Sequence, residues 1–181
     1  MNDDFIKETE IEGVLIISRP VFSDDRGFFR ETYRRGDLEE KTGKSFIPTQ
    51  ANHSRSEKGS LRGIHIAPWD KLVTAVSGKV QQVVVDLRKD SPTFGKYVSV
   101  DMGEENWVSV FIPAGCGNSF LVLSEQADYT YLATDYWEAG KEKSIIYNDP
   151  KIGISWELPN EELLLSDKDL ENPTLEEYLK D

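Results

Sequence analysis

Apolar and polar residues alternate along most of the chain in short runs, a pattern typical of β-strands with one buried face. Turn residues separate the runs, for example in SG, DSPTFG, PAGCGN and NDPKIG. The pattern predicts strands over residues 13–18, 71–76, 79–88, 96–102, 107–113, 119–124, 128–137 and 143–148. Because no helical segments lie between these runs, a mainly β, jelly-roll or barrel fold is favoured over a βαβ fold.

Two short helices are predicted at the periphery of this fold. Asp37 and Glu40 resemble an N-terminal capping box for the segment DLEEKTG. Thr174 and Glu177 make a second capping box in NPTLEEYLKD.

Composition indicates a globular protein of one domain, residues 1–181, with 38% hydrophobic and 30% charged residues. No apolar run approaches the ~18 residues of a membrane helix, and the acidic start MNDDFIKETE lacks the apolar centre of a signal peptide. A single cysteine fits a reducing cytoplasm. The net charge of −12 argues against nucleic-acid and anionic membrane partners.

His65, in the stretch LRGIHI, is the first candidate for chemistry. Strict alternation places Leu61, Gly63 and His65 on one face of a strand and Arg62 on the other. A bulge at Gly63 would instead turn Arg62 and His65 toward one cavity. From this stretch alone, a histidine satisfied by a backbone hydrogen bond is the plainer interpretation.

The segment DYTYLATDYW carries an unusual set of side chains for one strand face. Period-two alternation places Tyr129, Tyr131, Ala133, Asp135 and Trp137 together. Aromatic packing across strands is one interpretation. The other is a cavity with a phenolic acid and an aromatic stacking platform.

Several cations and polar groups surround these positions in the sequence. An anion clamp built from Arg26, Arg62 and Lys71 is one hypothesis, although each residue taken alone is an ordinary surface charge. Only His53 and His65 could supply imidazole ligands, and their spacing matches no metal motif. No metal site is therefore expected, and Cys116 is interpreted as a small turn residue.

Nine sequence blocks, in this order, resemble the dTDP-4-dehydrorhamnose 3,5-epimerase family. They are DDRGFFRETY, NHSRSEKGSLRGIH, KLV, VVVDLRKDSPTFGK, FIPAG, SFLVLSE, YLATDYW, NDPKIGISW and LSDKD. The similarity extends from about Val14 to about Asp169. It implies a cupin-type jelly roll that forms a homodimer and epimerises a nucleoside-diphosphate 4-keto sugar without metal or organic cofactor.

The resemblance also implies roles for individual residues. His65 matches the general base, Asp169 the carboxylate that orients it, and Tyr131 the proton-donating acid. Trp137 matches the aromatic residue that stacks on the nucleotide base, and Lys71 matches a nucleotide-sugar contact. On chemical grounds, the ammonium group of Lys71 would also stabilise an enolate oxygen. The remaining contacts to the nucleotide sugar map to Arg26, Glu31, Gln50, Asn52, Arg62, Glu142 and Lys168.

The chain departs from the family pattern at several positions. Only IAPWD separates His65 from Lys71, where the family has a longer loop. Asn118 takes the place of a second histidine, while Gln82 and Ala51 replace aspartates. Asn118 can still hydrogen-bond a substrate but cannot carry charge. An epimerase acting at one carbon, an epimerase of a GDP-linked 4-keto heptose and a non-catalytic binding protein are the alternatives.

Overall fold

The computed structural model describes residues 5–180, in which strands dominate and the helices are short. The strands are β1 (Ile6–Glu8), β2 (Leu15–Ser18), β3 (Val21–Asp24), β4 (Gly27–Arg30), β5 (Gln50–Glu57), β6 (Leu61–Ile66), β7 (Lys71–Ser77), β8 (Lys79–Asp86), β9 (Tyr97–Gly103), β10 (Val108–Ile112), β11 (Cys116–Val122), β12 (Gln126–Ala133) and β13 (Lys143–Ser144). The helices are α1 (Arg35–Thr42), α2 (Asp167–Leu170) and α3 (Leu175–Tyr178).

Two antiparallel sheets build the fold. The six-stranded sheet has the order β1-β2-β10-β7-β12-β5, and the five-stranded sheet has the order β13-β6-β11-β8-β9. Strands β3 and β4 form a separate hairpin. Sequence neighbours such as β6 and β7 lie in different sheets, as they do in a jelly roll. The predicted mainly β, cupin-type jelly-roll fold is confirmed.

The space between the two sheets is filled by apolar side chains. Val73 and Ala75 of β7 contribute to one buried cluster together with Val84 of β8. Phe120 of β11 stacks on Tyr129 of β12, with ring centroids 4.0 Å apart. This closed core occupies one part of the interior. Polar side chains line another part, where the site described below is found.

The outer faces of both sheets are covered by different parts of the chain. Leu38 of α1 packs with Leu72 and Phe111 on the outside of the six-stranded sheet. Leu175 of α3 packs with Ile64 on the outside of the five-stranded sheet. The segment that follows β13 therefore lies against β6, the strand that carries His65.

The predicted strands are found, although two of them end earlier than predicted. Strand β12 stops at Ala133, and Trp137 therefore lies outside the strand. Strand β13 contains two residues, because the chain leaves the sheet after Ser144. The pattern missed β1, β3, β4 and β5, and the sequence of β5, QANHSRSE, is polar on both faces.

One of the two predicted helix caps is wrong and the other is confirmed. Helix α1 begins at Arg35, and Asp37 lies in its first turn, where it pairs with Arg19 at 2.7 Å instead of capping. Thr174 and Glu177 do form a capping box at α3.

The hairpin of β3 and β4 leaves large aromatic side chains uncovered. Phe22, Phe28 and Phe29 are 66%, 51% and 72% exposed.

No helix among residues 5–180 has the length and apolar character needed to cross a membrane.

Candidate active site

A bulge in β6 places two polar side chains, Arg62 and His65, on the same face of the strand. His65 lies opposite Asn118 of β11 and Arg62 lies opposite Phe120, so two residues of β6 face one residue between these pairs. Asn118 and Phe120 are two positions apart and share a face, which places Arg62 and His65 on that face as well. Gly63 has φ +126°, and a Cβ there would lie 2.6 Å from the backbone oxygen of Asn118. The predicted bulge is confirmed.

His65 is hydrogen-bonded to Asp169, which α2 presents beside β6. The distance from Nε2 of His65 to Oδ1 of Asp169 is 2.8 Å, and the two side chains are 31% and 8% exposed. Ser166 caps α2 and donates from its hydroxyl to Oδ2 of Asp169 at 2.9 Å. Burial alone would raise the pKa of Asp169, but hydrogen bonds from His65 and Ser166 hold it below its ordinary value. Asp169 therefore stays ionised beside the imidazole.

Two further residues support this carboxylate. Ser144 of β13 donates to Oδ1 of Asn172 at 2.6 Å, which turns the amide nitrogen of Asn172 toward Oδ1 of Asp169 at 3.4 Å. Ser144 also lies opposite His65 in the sheet. Sequence reasoning missed Ser144, Ser166 and Asn172, although an N-cap serine three residues before Asp169 is a recognisable signal.

Lys71 lies on the interior face of the opposite sheet. Its side chain is 6% exposed, and its Nζ is 2.7 Å from Oε1 of Glu142. The ammonium group also lies 5.4 Å from the ring centroid of Tyr131 and 5.9 Å from that of Trp69. A buried cation between two rings and one carboxylate is well placed to attract a further negative charge.

Tyr131 comes from β12, where it lies opposite Val73 and Asn52. The side chain is half-buried and packs beside Ala67, two residues after His65. Burial, together with the negative charge of Glu142, raises the pKa of Tyr131 above its ordinary value. The phenol is therefore held in its protonated, proton-donating form.

Trp137 reaches the site by hydrogen bonds, not by the strand alternation that predicted its position. It follows β12 in an irregular segment and is 51% exposed. Its indole nitrogen donates to Oε2 of Glu142 at 3.1 Å, and its backbone nitrogen donates to Oε1 of Gln50 at 2.8 Å. Gln50 in turn donates to Asn52 at 3.0 Å. Trp137, Glu142, Gln50, Asn52 and Lys71 thus form one connected group.

The other predicted contact residues are not hydrogen-bonded to this group. Nε of Arg62 donates to Ser56 at 3.0 Å, and Lys168 is exposed on α2. Arg26 is on the exposed hairpin and pairs with Asp24 at 2.6 Å. Glu31 pairs with Arg34. Among residues 5–180, neither Arg26 nor Glu31 is bonded to His65 or Lys71. No hydrogen bond or ion pair in this part of the chain joins Arg26, Arg62 and Lys71 into a clamp, since each has another partner.

A buried polar chain behind Asn118 was missed by the sequence reasoning. The hydroxyl of Tyr129 donates to Oε1 of Gln82 at 2.7 Å, and Nε2 of Gln82 donates to Oδ1 of Asn118 at 2.7 Å. Three buried donors have no hydrogen-bond acceptor among residues 5–180: Nδ2 of Asn52, Nε1 of Trp69, and Nε of Arg19, which lies 3.4 Å from Glu31. Buried donors normally have acceptors. Asn52 lies opposite Tyr131 and Trp69 lies beside Lys71, so these two donors are candidate ligand contacts.

The described residues contain no group of three His, Cys, Asp or Glu side chains placed to hold a metal ion. His53 lies on β5 and pairs with Asp128 at 2.7 Å. Independence of metal stays a prediction that exhaustive chelation would test. Burial raises the pKa of the Cys116 thiol to about 12, which fits an unreactive thiol. The prediction of a turn residue is wrong, because Cys116 is the buried first residue of β11.

The arrangement suits proton transfer at carbon. An imidazole oriented by a carboxylate can act as a base, a neutral phenol can act as an acid, and a buried ammonium can stabilise an oxyanion. Together these groups can remove a proton beside a carbonyl and return one elsewhere.

Comparisons with known proteins agree with this chemistry. A sequence profile described as dTDP-4-dehydrorhamnose 3,5-epimerase matches residues 8–177. The enzyme of that name from Salmonella typhimurium is 42% identical over 179 residues, covering 95% of this chain and 96% of its own.

Two solved structures are also closely similar. The dTDP-6-deoxy-D-glucose-3,5-epimerase of Legionella pneumophila, in complex with dTDP-4-keto-L-rhamnose, has a TM-score of 0.89 at 40% identity, covering 94% of this chain and 92% of its own. A 3′-monoepimerase from Streptomyces bikiniensis, in complex with dTDP-quinovose, has a TM-score of 0.88 at 36% identity, covering 95% of this chain and 89% of its own. This protein is an isomerase that belongs to the dTDP-4-dehydrorhamnose 3,5-epimerase family.

Proposed function

We propose that this protein inverts C3 and C5 of a dTDP-linked 4-keto-6-deoxyhexose, with residues 1–181 acting as a single domain. The observation that carries the proposal is the hydrogen bond between His65 and the buried Asp169, on the interior face opposite Lys71. The relatives are named for this reaction, and one solved relative holds a dTDP-4-keto sugar.

His65 is the proposed base, and its hydrogen bond determines which nitrogen reacts. Asp169 accepts from Nε2 of His65, so this nitrogen carries the hydrogen and Nδ1 holds the free electron pair. Nδ1 takes the proton from carbon and becomes part of an imidazolium. The ionised Asp169 stabilises that cation, as carboxylates do beside catalytic histidines.

Lys71 is the proposed electrostatic partner of the intermediate. The C4 carbonyl acidifies the protons at C3 and C5, because loss of either proton gives an enolate. The Nζ of Lys71 would stabilise the enolate oxygen in an interior where charges are poorly screened. Its pairing with Glu142 holds the ammonium group in place.

Tyr131 is the proposed acid. Its raised pKa keeps the phenol protonated at neutral pH, so it can give a proton to the enolate carbon. Delivery from the face opposite His65 inverts the carbon.

The nucleotide would be held beside this centre. Trp137 offers an exposed ring for the base, and the cations Arg62 and Lys168 are suited to the diphosphate. The unpartnered donor of Asn52 and the amide of Gln50 are available to the sugar.

A homodimer is part of the proposal. Exposed aromatic patches of this kind are typical of interaction sites, and a second copy would cover Phe22, Phe28 and Phe29. Such a dimer would give Arg26 and Glu31 a route to a substrate, since neither is bonded to His65 or Lys71 among the described residues of its own chain. The cytoplasmic location stays a prediction.

Deuterium exchange tests the proposed reaction. With a dTDP-4-keto-6-deoxyhexose in D₂O, the wild type should incorporate deuterium at C3 and C5 and invert both carbons. His65→Asn should do neither. Tyr131→Phe should still exchange, because His65 can return solvent deuterium to its own face, but should nearly lose inversion. Wild-type exchange in His65→Asn, measured by NMR, would contradict the proposal.

Inversion at a single carbon is a second candidate, favoured by the similarity to the 3′-monoepimerase. The same experiment separates the two, since a single-centre enzyme would invert only one of the two carbons.

A further inference from the structure

The side-chain amide of Asn118 is held in one orientation by a buried chain of hydrogen bonds. The chain begins at the backbone oxygen of Val83, which can only accept. Nε2 of Gln82 donates to this oxygen at 3.1 Å, which identifies it as the nitrogen end of the amide. Oε1 of Gln82 therefore faces Tyr129, whose hydroxyl donates to it at 2.7 Å.

The second hydrogen on Nε2 of Gln82 determines how Asn118 lies. It is donated to Oδ1 of Asn118 at 2.7 Å, so the oxygen end of Asn118 points toward the core. Gln82 is 0% exposed and Tyr129 is 1% exposed, so water does not compete for these bonds. Rotating the amide of Asn118 would place two nitrogens against each other, which is strongly unfavourable in a buried position.

The nitrogen end of Asn118 is left free on the side of the reactive histidine. Asn118 lies directly opposite His65 in the sheet, where Cβ atoms of paired residues are ~4.5–5.5 Å apart. No acceptor within residues 5–180 takes a hydrogen bond from Nδ2, and the side chain is partly exposed. The site thus contains a neutral donor of fixed orientation beside its base.

We infer, on the basis of the proposed function, that Gln82 is a positioning residue that makes Asn118 a neutral donor to the enolate oxygen. Asn118 and Lys71 would share that oxygen, one as an amide dipole and the other as a cation. Because an amide does not titrate, this donor keeps its strength at every pH at which His65 works. Tyr129 contributes by occupying Oε1 of Gln82.

The first test removes the donor itself. Asn118→Ala should lower kcat by about 10²–10³-fold, the loss expected for one oxyanion donor, while KM changes little. Asn118→Asp should be slower still, since it replaces the donor with a negative charge near the enolate. Thermal melting and dTDP affinity, both expected to stay close to wild type, show that the variants are folded.

The second test reverses the orientation of the Asn118 amide by changing Gln82, which does not itself face the substrate. Gln82→Glu places an acceptor against Asn118, so the amide of Asn118 rotates and presents its oxygen to the cavity. We expect kcat to fall about 10-fold or more in the wild-type background. In the Asn118→Ala background the same change should have almost no further effect, because the two residues act as one unit.

Gln81→Glu is the matched control, since Gln81 is also buried at 2% exposure but bonds to Ser99 and to the backbone of Ser155. It should lose stability without the loss in kcat. Equal rates for Asn118→Ala and wild type, or an undiminished effect of Gln82→Glu in Asn118→Ala, would overturn the inference. Failure of the wild type itself to exchange deuterium would instead overturn the proposed function.

Discussion

The chain contains two histidines, and each lies against an aspartate at nearly the same distance. Nε2 of His65 is 2.8 Å from Asp169, and Nε2 of His53 is 2.7 Å from Asp128. Distance alone would assign both pairs the same chemistry. Their surroundings differ in three ways.

The first difference is the sheet face. His65 shares the interior face with Asn118. His53 lies opposite Thr130, which alternates with the inward-facing Tyr129 and Tyr131, so His53 is on the outer face of its sheet. The side chain of His53 is 58% exposed, against 31% for His65.

The second difference is which other groups donate hydrogen bonds to the aspartate of each pair. The third is which side chains share the space beside each histidine. Asp128 also receives two hydrogen bonds from Arg55, at 3.0 and 2.8 Å, so a permanent cation already neutralises it. Asp169 receives its other bonds from uncharged groups such as Ser166. Only His65 faces an interior that also holds a buried ammonium and a phenol. A histidine–aspartate pair becomes a candidate catalytic dyad through its neighbours, not through its own geometry.

The largest expected effect is on kcat, in a direct comparison of substitutions at the two histidines. His65→Asn should lower kcat by about 10²–10⁴-fold, the contribution typical of a general base. His53→Asn should leave kcat within about twofold, because solvent-exposed substitutions away from the site have small effects. Steady-state kinetics on the two purified variants measures this. Comparable losses would show that His53 also belongs to the catalytic centre.

Substitutions at the two aspartates should give the next largest difference in kcat. Asp169→Asn should reduce kcat about 10–100-fold, as expected when the partner that orients a functional histidine is lost. Asp128→Asn should keep kcat near the wild-type value. A deuterium-exchange rate at carbon that is unchanged in Asp169→Asn would show that His65 does not depend on this carboxylate.

Trp137 and its neighbour Tyr136 provide a similar comparison for binding. Trp137→Ala should weaken dTDP by ~1–3 kcal/mol, the usual contribution of one stacked base, or about 5–150-fold in Kd. Tyr136→Ala is the control, since Tyr136 is 60% exposed and its side chain has no hydrogen bond to Glu142 or Gln50. Calorimetry with dTDP, GDP and CDP would also rank the nucleotides. Unchanged affinity for all three in Trp137→Ala would remove this ring from the site.

The smallest expected effect concerns stability at acid pH. Arg55 and His53 lower the pKa of Asp128 from 3.8 to about 2. A lowered pKa means that ionised Asp128 stabilises the folded state above about pH 4, and that this contribution disappears as the pH falls toward 2. Wild type and Asp128→Asn should therefore differ slightly in melting temperature at pH 6 and converge near pH 2. A difference that grows on acidification would have the wrong sign.

Periodicity predicted most of the fold but failed where strands lie at edges or end early. The strands from β7 to β12 have buried, alternating apolar residues and were found. Strand β5 was missed because both of its faces are polar, with His53 and Arg55 on the outer face and Asn52 and Ser54 on the inner face. Trp137 was given a strand position, yet β12 ends at Ala133.

The site was less predictable than the fold, because its parts meet through long-range folding. His65 and Asp169 are 104 positions apart, and no local pattern links them. Only the family resemblance paired them. Gln82 stands in the run KVQQVVVD, where a buried amide looks like an interruption of a hydrophobic strand. Its bonds to Asn118 and Tyr129 become visible only when three strands are brought together.

The position of Asp169 on α2 also sets the time at which the protein can first become active. Ribosomes add ~5–20 residues per second, so about 5–20 s separate the synthesis of His65 from that of its partner 104 residues later. During this interval the sheets can begin to pair while the imidazole has no carboxylate beside it. Activity on a nascent chain should therefore arise late and abruptly, when α2 reaches β6.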